Sequence, residues 1–321
     1  MHRIFFRFIP CIFFVLSFHA QHTDIINSNR PGESMTAFSV GKNVSQIETG
    51  IYGISEKHQL LQYDAKGMGI DLTIRHGLFL EQLEFIGNIQ YQLDKYNSPV
   101  TREDRSAIKY AVIGAKYLVY DPYKYYEEKV NIYSWKANQK FKWRQFIPIV
   151  AVYAGANLNF TNNPFYALPV EESNVSAKAM LVTQNHFGQR WVLVTNTFMD
   201  KIGSETQNFG YLITLTHAFN QKFSGFLENK GIMGDFYSDQ ILTTGLAYLM
   251  GTNIQVDISV SKNFKNTPDI LYGGVGFSIR FDKKHKPVVL LGPDKSQKTS
   301  KEDKKKKKEK ERVKEAIENN P

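Results

Sequence analysis

Ten polar or charged residues recur at alternate positions of otherwise apolar runs: Gln46, Glu48, Asp71, Arg75, Glu84, Lys116, Glu228, Gln255, Asp257 and Arg280. Groups of both signs at period two can do one of two things. They can ring an aqueous passage and select solutes by charge, or pair across neighbouring strands and fill a narrow interior. Five acids against three bases is close to balance, which favours pairing over an ion-selective ring. Nucleophilic catalysis needs a base within hydrogen-bond reach of a Ser or similar group. His76 and His217 fall on the apolar side of their runs and His186 sits by a short turn, and no Ser stands at a spacing that suggests a pair. His22, His58 and His285 have no spaced partner that would suggest a metal site. Gly273 and Gly274 lie inside a strand pattern with no helix start behind them, so they read as close-packing positions and not as a phosphate cradle. The residues therefore give no catalytic assignment, and neither a cofactor nor a nucleic-acid partner is expected.

The elements that must carry these side chains are strands. In 253–263, Ile254, Val256, Ile258 and Val260 alternate with Gln255, Asp257, Ser259 and Ser261 without a break. In the last run, Leu271, Val275, Phe277, Ile279 and Phe281 share one face, while Tyr272, Ser278 and Arg280 share the other. Phe277, Ile279 and the closing Phe281 form the terminal-strand signal of a membrane barrel. Period-two alternation with turn residues between runs predicts twelve strands, at 44–54, 67–77, 82–93, 106–120, 145–160, 174–186, 189–201, 207–219, 222–230, 239–250, 253–263 and 270–281. Runs 106–120, 145–160 and 174–186 are apolar on both faces and fit the pattern least well. Arg or Lys facing lipid at the midplane costs about 2–4 kcal/mol, so charge confined to one face supports an enclosed interior. Only a closed barrel satisfies strand backbones in lipid. The fold class is thus an all-β, antiparallel transmembrane barrel of about twelve strands.

Composition and processing signals agree. Met1–Ala20 carries Arg3 and Arg7, then an apolar run, then a small residue, the layout of a cleaved secretory signal. That run is short of the ~20 residues a spanning helix needs. The single cysteine, Cys11, lies inside it, so the mature chain has no thiol for a disulfide, a thiolate nucleophile or a Cys-based zinc site. A mean hydropathy of −0.35 excludes a helical membrane protein and leaves a barrel open. Of the +9 net charge, most lies in Asp282–Pro321, with 14 Lys/Arg against 8 Asp/Glu. The basic balance therefore describes a tail and not the barrel.

The expected organisation is a signal at 1–20, an N-terminal periplasmic or plug segment at 21–43, a barrel at 44–281 and a lysine-rich, partly disordered tail at 282–321. The stretch INSNRPGESMTAFSVGK is too irregular for a barrel wall, and it either lines the periplasmic mouth or plugs the lumen. Tight connections at 77–82, 187–188, 220–221 and 251–252 mark the periplasmic side, and longer ones near 55–66, 94–105 and 161–173 the outside. Asp121–Arg144 breaks this parity. It is expected as an aromatic and basic periplasmic excursion, with an extra hairpin or a reversed parity as alternatives. Lys304, Lys305, Lys306, Lys307 and Lys308 are candidates for anchoring to anionic cell-wall polymer or an acidic periplasmic partner.

Several segments together resemble the outer-membrane family labelled for the meta-pathway of phenol degradation, whose Bacteroidota members are described as transporters. They are NRPGESMTAFSV (29–40), QIETG (46–50), IRHGL (74–78), GAKY (114–117), FLE with Glu228, GLAYL (245–249), NIQVDIS (253–259) and GVGFSIRF (274–281). Asn29 stands where many members have Asp, and SWKANQKFKW and the lysine tail are outside the general pattern. The resemblance implies the outer membrane of a Gram-negative, Bacteroidota-like bacterium and a porin-like channel or transporter for small, apolar or aromatic molecules. Outer-membrane lipid is then a partner. The rival readings are a filled structural or assembly barrel anchored through basic periplasmic segments, and a membrane-surface hydrolase.

Overall fold

The computed structural model describes residues 25–124, 133–134, 142–160, 163–165, 173–188 and 190–283. Expectations for the leader, for Lys304–Lys308 and for most of 125–141 fall outside them. Within them, twelve antiparallel strands make one closed ring: β1 (Ser45–His58), β2 (Tyr63–Gly77), β3 (Leu83–Asn97), β4 (Arg102–Tyr120), β5 (Ile149–Leu158), β6 (Val175–Phe187), β7 (Trp191–Ile202), β8 (Asn208–Ala218), β9 (Phe223–Gly234), β10 (Asp239–Met250), β11 (Ile254–Asn263) and β12 (Asp269–Phe281). Each strand pairs with its sequence neighbour. β1 closes on β12 in register from Ser45↔Phe281 to Lys57↔Asp269.

Alternation sets the two faces. On β12, Leu271, Val275, Phe277 and Phe281 are exposed on the outer wall, while Ser278 and Arg280 between them are buried. On β11, Ile258 and Val260 face out and Asp257 faces in. No soluble surface gathers so many exposed aliphatic and aromatic side chains into one belt, and lipid is the solvent that suits them.

The strands called weak by alternation have a physical explanation. Val112 and Leu118 of β4, Ile149, Ala151 and Tyr153 of β5, Met180 and Val182 of β6, Phe198 of β7 and Leu212 of β8 form a buried apolar cluster inside the ring. β4, β5 and β6, which supply most of it, are therefore greasy on both sides. Their inner face packs against protein, not water.

Two loop expectations need correction. The outer connections near 55–66 and 94–105 were expected to be long, but β1–β4 run for 14, 15, 15 and 19 residues and leave only 59–62 and 98–101 as turns. Crossing a bilayer takes about 9–11 tilted residues. The surplus continues the ladder above the membrane, where inward polar pairs such as Tyr63–Glu56 and Arg105–Asp94 hold it. At the other end, β4 pairs directly with β5, from Val112↔Asn157 to Tyr120↔Val150, so among the described residues 121–148 adds no strand and the parity stands.

Candidate functional site

Residues 25–44 enter the ring at the end where β1 begins, β12 ends and the connections after β6, β8 and β10 lie, the periplasmic end in barrels of this kind. The segment is anchored at the rim, where the Ile26 amide donates to the Thr252 carbonyl at 2.7 Å. It climbs along β1, β12 and β11, crosses the lumen near mid-height, and returns along β6, β4 and β3. It leaves past β2, where a Cβ on Gly77 would overlap the Gly41 carbonyl. Entry and exit share one mouth.

A single row of four strands seats the cation of the segment, Arg30. Asp71 on β2, Gly50 on β1, Gly276 on β12 and Asp257 on β11 are direct neighbours in register. Arg30 lies across the two glycines with its guanidinium on Asp71 at one side and 3.3 Å from Asp257 at the other. A Cβ on either glycine would occupy the space of that guanidinium. Bare backbone between two carboxylates makes a slot for a planar cation, and Arg is the side chain whose fork matches it.

Beyond Arg30, the wall holds the segment by its backbone. The Glu228 carboxylate accepts from the amides of Glu33 (2.9 Å) and Ser34 (3.1 Å) and from the Thr214 hydroxyl (2.7 Å). The Asn196 side chain reads both polar groups of Met35, accepting from its amide at 2.6 Å and donating to its carbonyl at 3.0 Å. Gln184 accepts from the Ala37 amide at 3.0 Å and Glu84 from the Val40 amide at 2.8 Å. Lys116 donates to the carbonyls of Thr36 (2.6 Å) and Phe38 (2.9 Å). An irregular backbone at membrane depth must have its polar groups satisfied by surrounding protein, and this wall supplies the partners. Met35, Ala37 and Phe38 meanwhile pack on the apolar cluster of β4–β8.

All ten residues singled out at alternate positions project inward, and most find partners within the ring or on the N-terminal segment. Arg75, fully buried, bridges Glu48 (3.2 Å) and Glu84 (3.0 Å), and Lys116 reaches the same Glu84 at 2.7 Å. Gln46 donates to Glu48 at 2.7 Å and to the Asn27 carbonyl at 3.2 Å, and Gln255 donates to the Arg30 carbonyl at 3.0 Å. Arg280 stands apart at the rim, 3.1 Å from Asp282. Removing one member of such a buried pair typically costs about 3–5 kcal/mol, because the other charge is left uncompensated.

Sequence reasoning missed Arg30, Gly50 and Gly276, Asn196 and Gln184. Only the irregularity of 22–43 hinted at a plug. It also missed one contact on the outer wall, where the Ser45 hydroxyl lies 2.8 Å from His76 Nδ1 across the β1–β2 ladder. No acid orients that imidazole among the described residues. His217 stacks on Trp191 at 4.1 Å, in an aromatic belt at the same end. No cluster of metal-ligating side chains occurs among the described residues.

Fold and interior together define a membrane-spanning β-barrel whose lumen is occupied on the periplasmic side by its own N-terminal segment. The family model described as "Putative MetA-pathway of phenol degradation" matches residues 28–281, and the chain belongs to that family. The match takes in the inserted segment as well as the wall. Among curated proteins nothing matches. Similar solved structures include an outer membrane channel from Pseudomonas putida F1 (10% identity, TM-score 0.49, covering 80% of this chain and all of that one). The CymD monoaromatic hydrocarbon channel (8%, 0.42, covering 75% and 89%) and the KdgM porin (11%, 0.40, covering 72% and 99%) are others. Values this low bear on neither mechanism nor cargo.

Proposed function

We propose that this protein is an outer-membrane channel for small molecules, aromatic compounds among them as the family description suggests, and that residues 27–41 are its gate. One observation carries the reading: the inserted segment enters and leaves by the same mouth and is held chiefly by side-chain hydrogen bonds to its backbone. Such bonds exchange for water at a net cost of only about 0.5–1.5 kcal/mol each, or ~1.5–3 kcal/mol when charged. The ladder that closes the wall does not depend on them. The gate can therefore swing into the periplasm while the ring stays intact. Export by a cleaved leader belongs to the same reading, whereas anchoring through Lys304–Lys308 belongs to the rival filled barrel. No chemical step is assigned to any residue.

The test is conductance in planar bilayers of the full chain beside a variant in which 27–41 is replaced by a short Gly/Ser linker. The full chain should be closed with rare openings, and the variant should conduct persistently. A folded variant as silent as the parent would replace the channel by a filled structural barrel, the alternative that the packed interior favours.

A further inference from the structure

Above the inserted segment the lumen changes character. Glu33 marks the floor of this outer half: it pairs with Lys230 of β9 at 2.6 Å, yet 62% of its side chain stays accessible. It also lies in the electrostatic field of Lys178 and Lys109. Lys230 is thus in direct contact with the carboxylate, while Lys178 and Lys109 act on it from further off.

One of the three is set by an irregularity in the ladder. β4 slips register against β3 at Gln90/Tyr91, where Tyr110 faces Gln90 and Ile108 faces Tyr91, so Lys109 is the extra residue. β6 and β7 also slip at Ala177/Ala179, but there the extra residue is on β7, where Asp200 and Lys201 both oppose Lys178, and Lys178 keeps its regular inward place opposite Gly155 of β5. Bulges re-aim side chains and recur next to functional sites. The Lys178 ammonium meets the Tyr110 hydroxyl at 2.8 Å and Asp200 at 3.4 Å, with the rings of Tyr110 and Phe198 at 5.2 and 5.4 Å. Lys109 differs. It donates to Gln92 at 2.9 Å and to the Tyr272 hydroxyl at 3.2 Å, and among the described residues no carboxylate lies within ion-pair distance of it. Tyr272 in turn packs edge-on against Tyr52 at 6.0 Å.

Glu33 and Asp200 each take one lysine, and the bulged Lys109 is left with neutral partners beside aromatic rings. We propose that this outer chamber binds a small aromatic monocarboxylate, its carboxylate received by Lys109 next to Lys178 and its ring laid against Tyr272 and Tyr110. A neutral aromatic would leave the cation unmatched, and the carboxylate of Glu33, already seated beside Lys230, shows that the chamber accepts the group. The assignment names a cargo class for the channel and rests on that reading only for its consequence in transport.

The experiment is equilibrium binding of sodium benzoate to the purified full-length protein in detergent, with benzyl alcohol as the neutral comparison. Variants Lys109→Met and Lys109→Arg are measured beside it, and retained heat-modifiable gel migration reports their folding. Saturable benzoate binding is expected, weakened at least tenfold in Lys109→Met, kept within threefold in Lys109→Arg, and absent for benzyl alcohol. No saturable binding to the parent protein, equal binding of benzyl alcohol, a smaller loss in Lys109→Met, or an equal loss in Lys109→Arg would each overturn it. Binding is read on the closed protein, so its failure leaves the gate untouched, and a silent linker variant leaves the binding result untouched.

Discussion

Arg30 shows how a single side chain can connect a gate to its wall. Its partners Asp71 and Asp257 stand on β2 and β11, and the space for its guanidinium is cleared by Gly50 and Gly276. The direction of Asp71 and Asp257 was legible from period two. Their partner was not, since a residue 41 positions before one acid and far from the other carries no local spacing signal. The slot yields a paired prediction. Arg30→Gln removes a charged hydrogen bond worth ~1.5–3 kcal/mol, which raises the open population about tenfold or more. Gly276→Val fills the slot and should open the channel to a similar degree while leaving Arg30 itself unchanged. Single-channel recordings measure both. Normal closure in Gly276→Val would show that the slot does not seat the gate.

At the scale of elements, all twelve strands could be read from alternation, and the three that read poorly, β4, β5 and β6, supply most of the apolar cluster under Met35 and Phe38, to which β3, β7 and β8 add one side chain each. Alternation reports a difference between two environments, and it fades where both are apolar. The long outer loops were misjudged for a related reason: above the membrane the ladder continues with polar residues on both faces, and period two no longer distinguishes strand from loop. The inserted segment has no period at all, because side chains of the wall, and not a neighbouring strand, satisfy its backbone. That difference in bonding predicts a difference in protection. In native hydrogen exchange the amides of 33–40 should exchange well ahead of those in β10 and β11, since local opening frees them without breaking the ring. Equal protection of the two would mean that segment and wall open as one unit.

The whole molecule is a ring with two interior levels. The periplasmic level matches acids and amides of the wall to a folded-in backbone and one arginine, and the outer level gathers lysines and tyrosines that hydrogen-bond to one another. Closure of the ring could be anticipated, because lipid admits no open sheet edge. The seat of the N-terminal segment could not, for it depends on which of many inward polar groups, carried by strands far apart in sequence, meet it in the folded ring. The family match begins at Ser28 and so takes in part of the segment as well as the barrel. The central claim is that withdrawal of this segment opens the passage. The described chain holds no cysteine, and the hydroxyls of Ser28 and Ser278 lie 2.8 Å apart, so a Ser28→Cys/Ser278→Cys variant can tether the gate to β12. Bilayer conductance of that variant should be absent when oxidised and should show openings once a reductant is added. Openings that are the same in the oxidised and reduced protein would contradict the account.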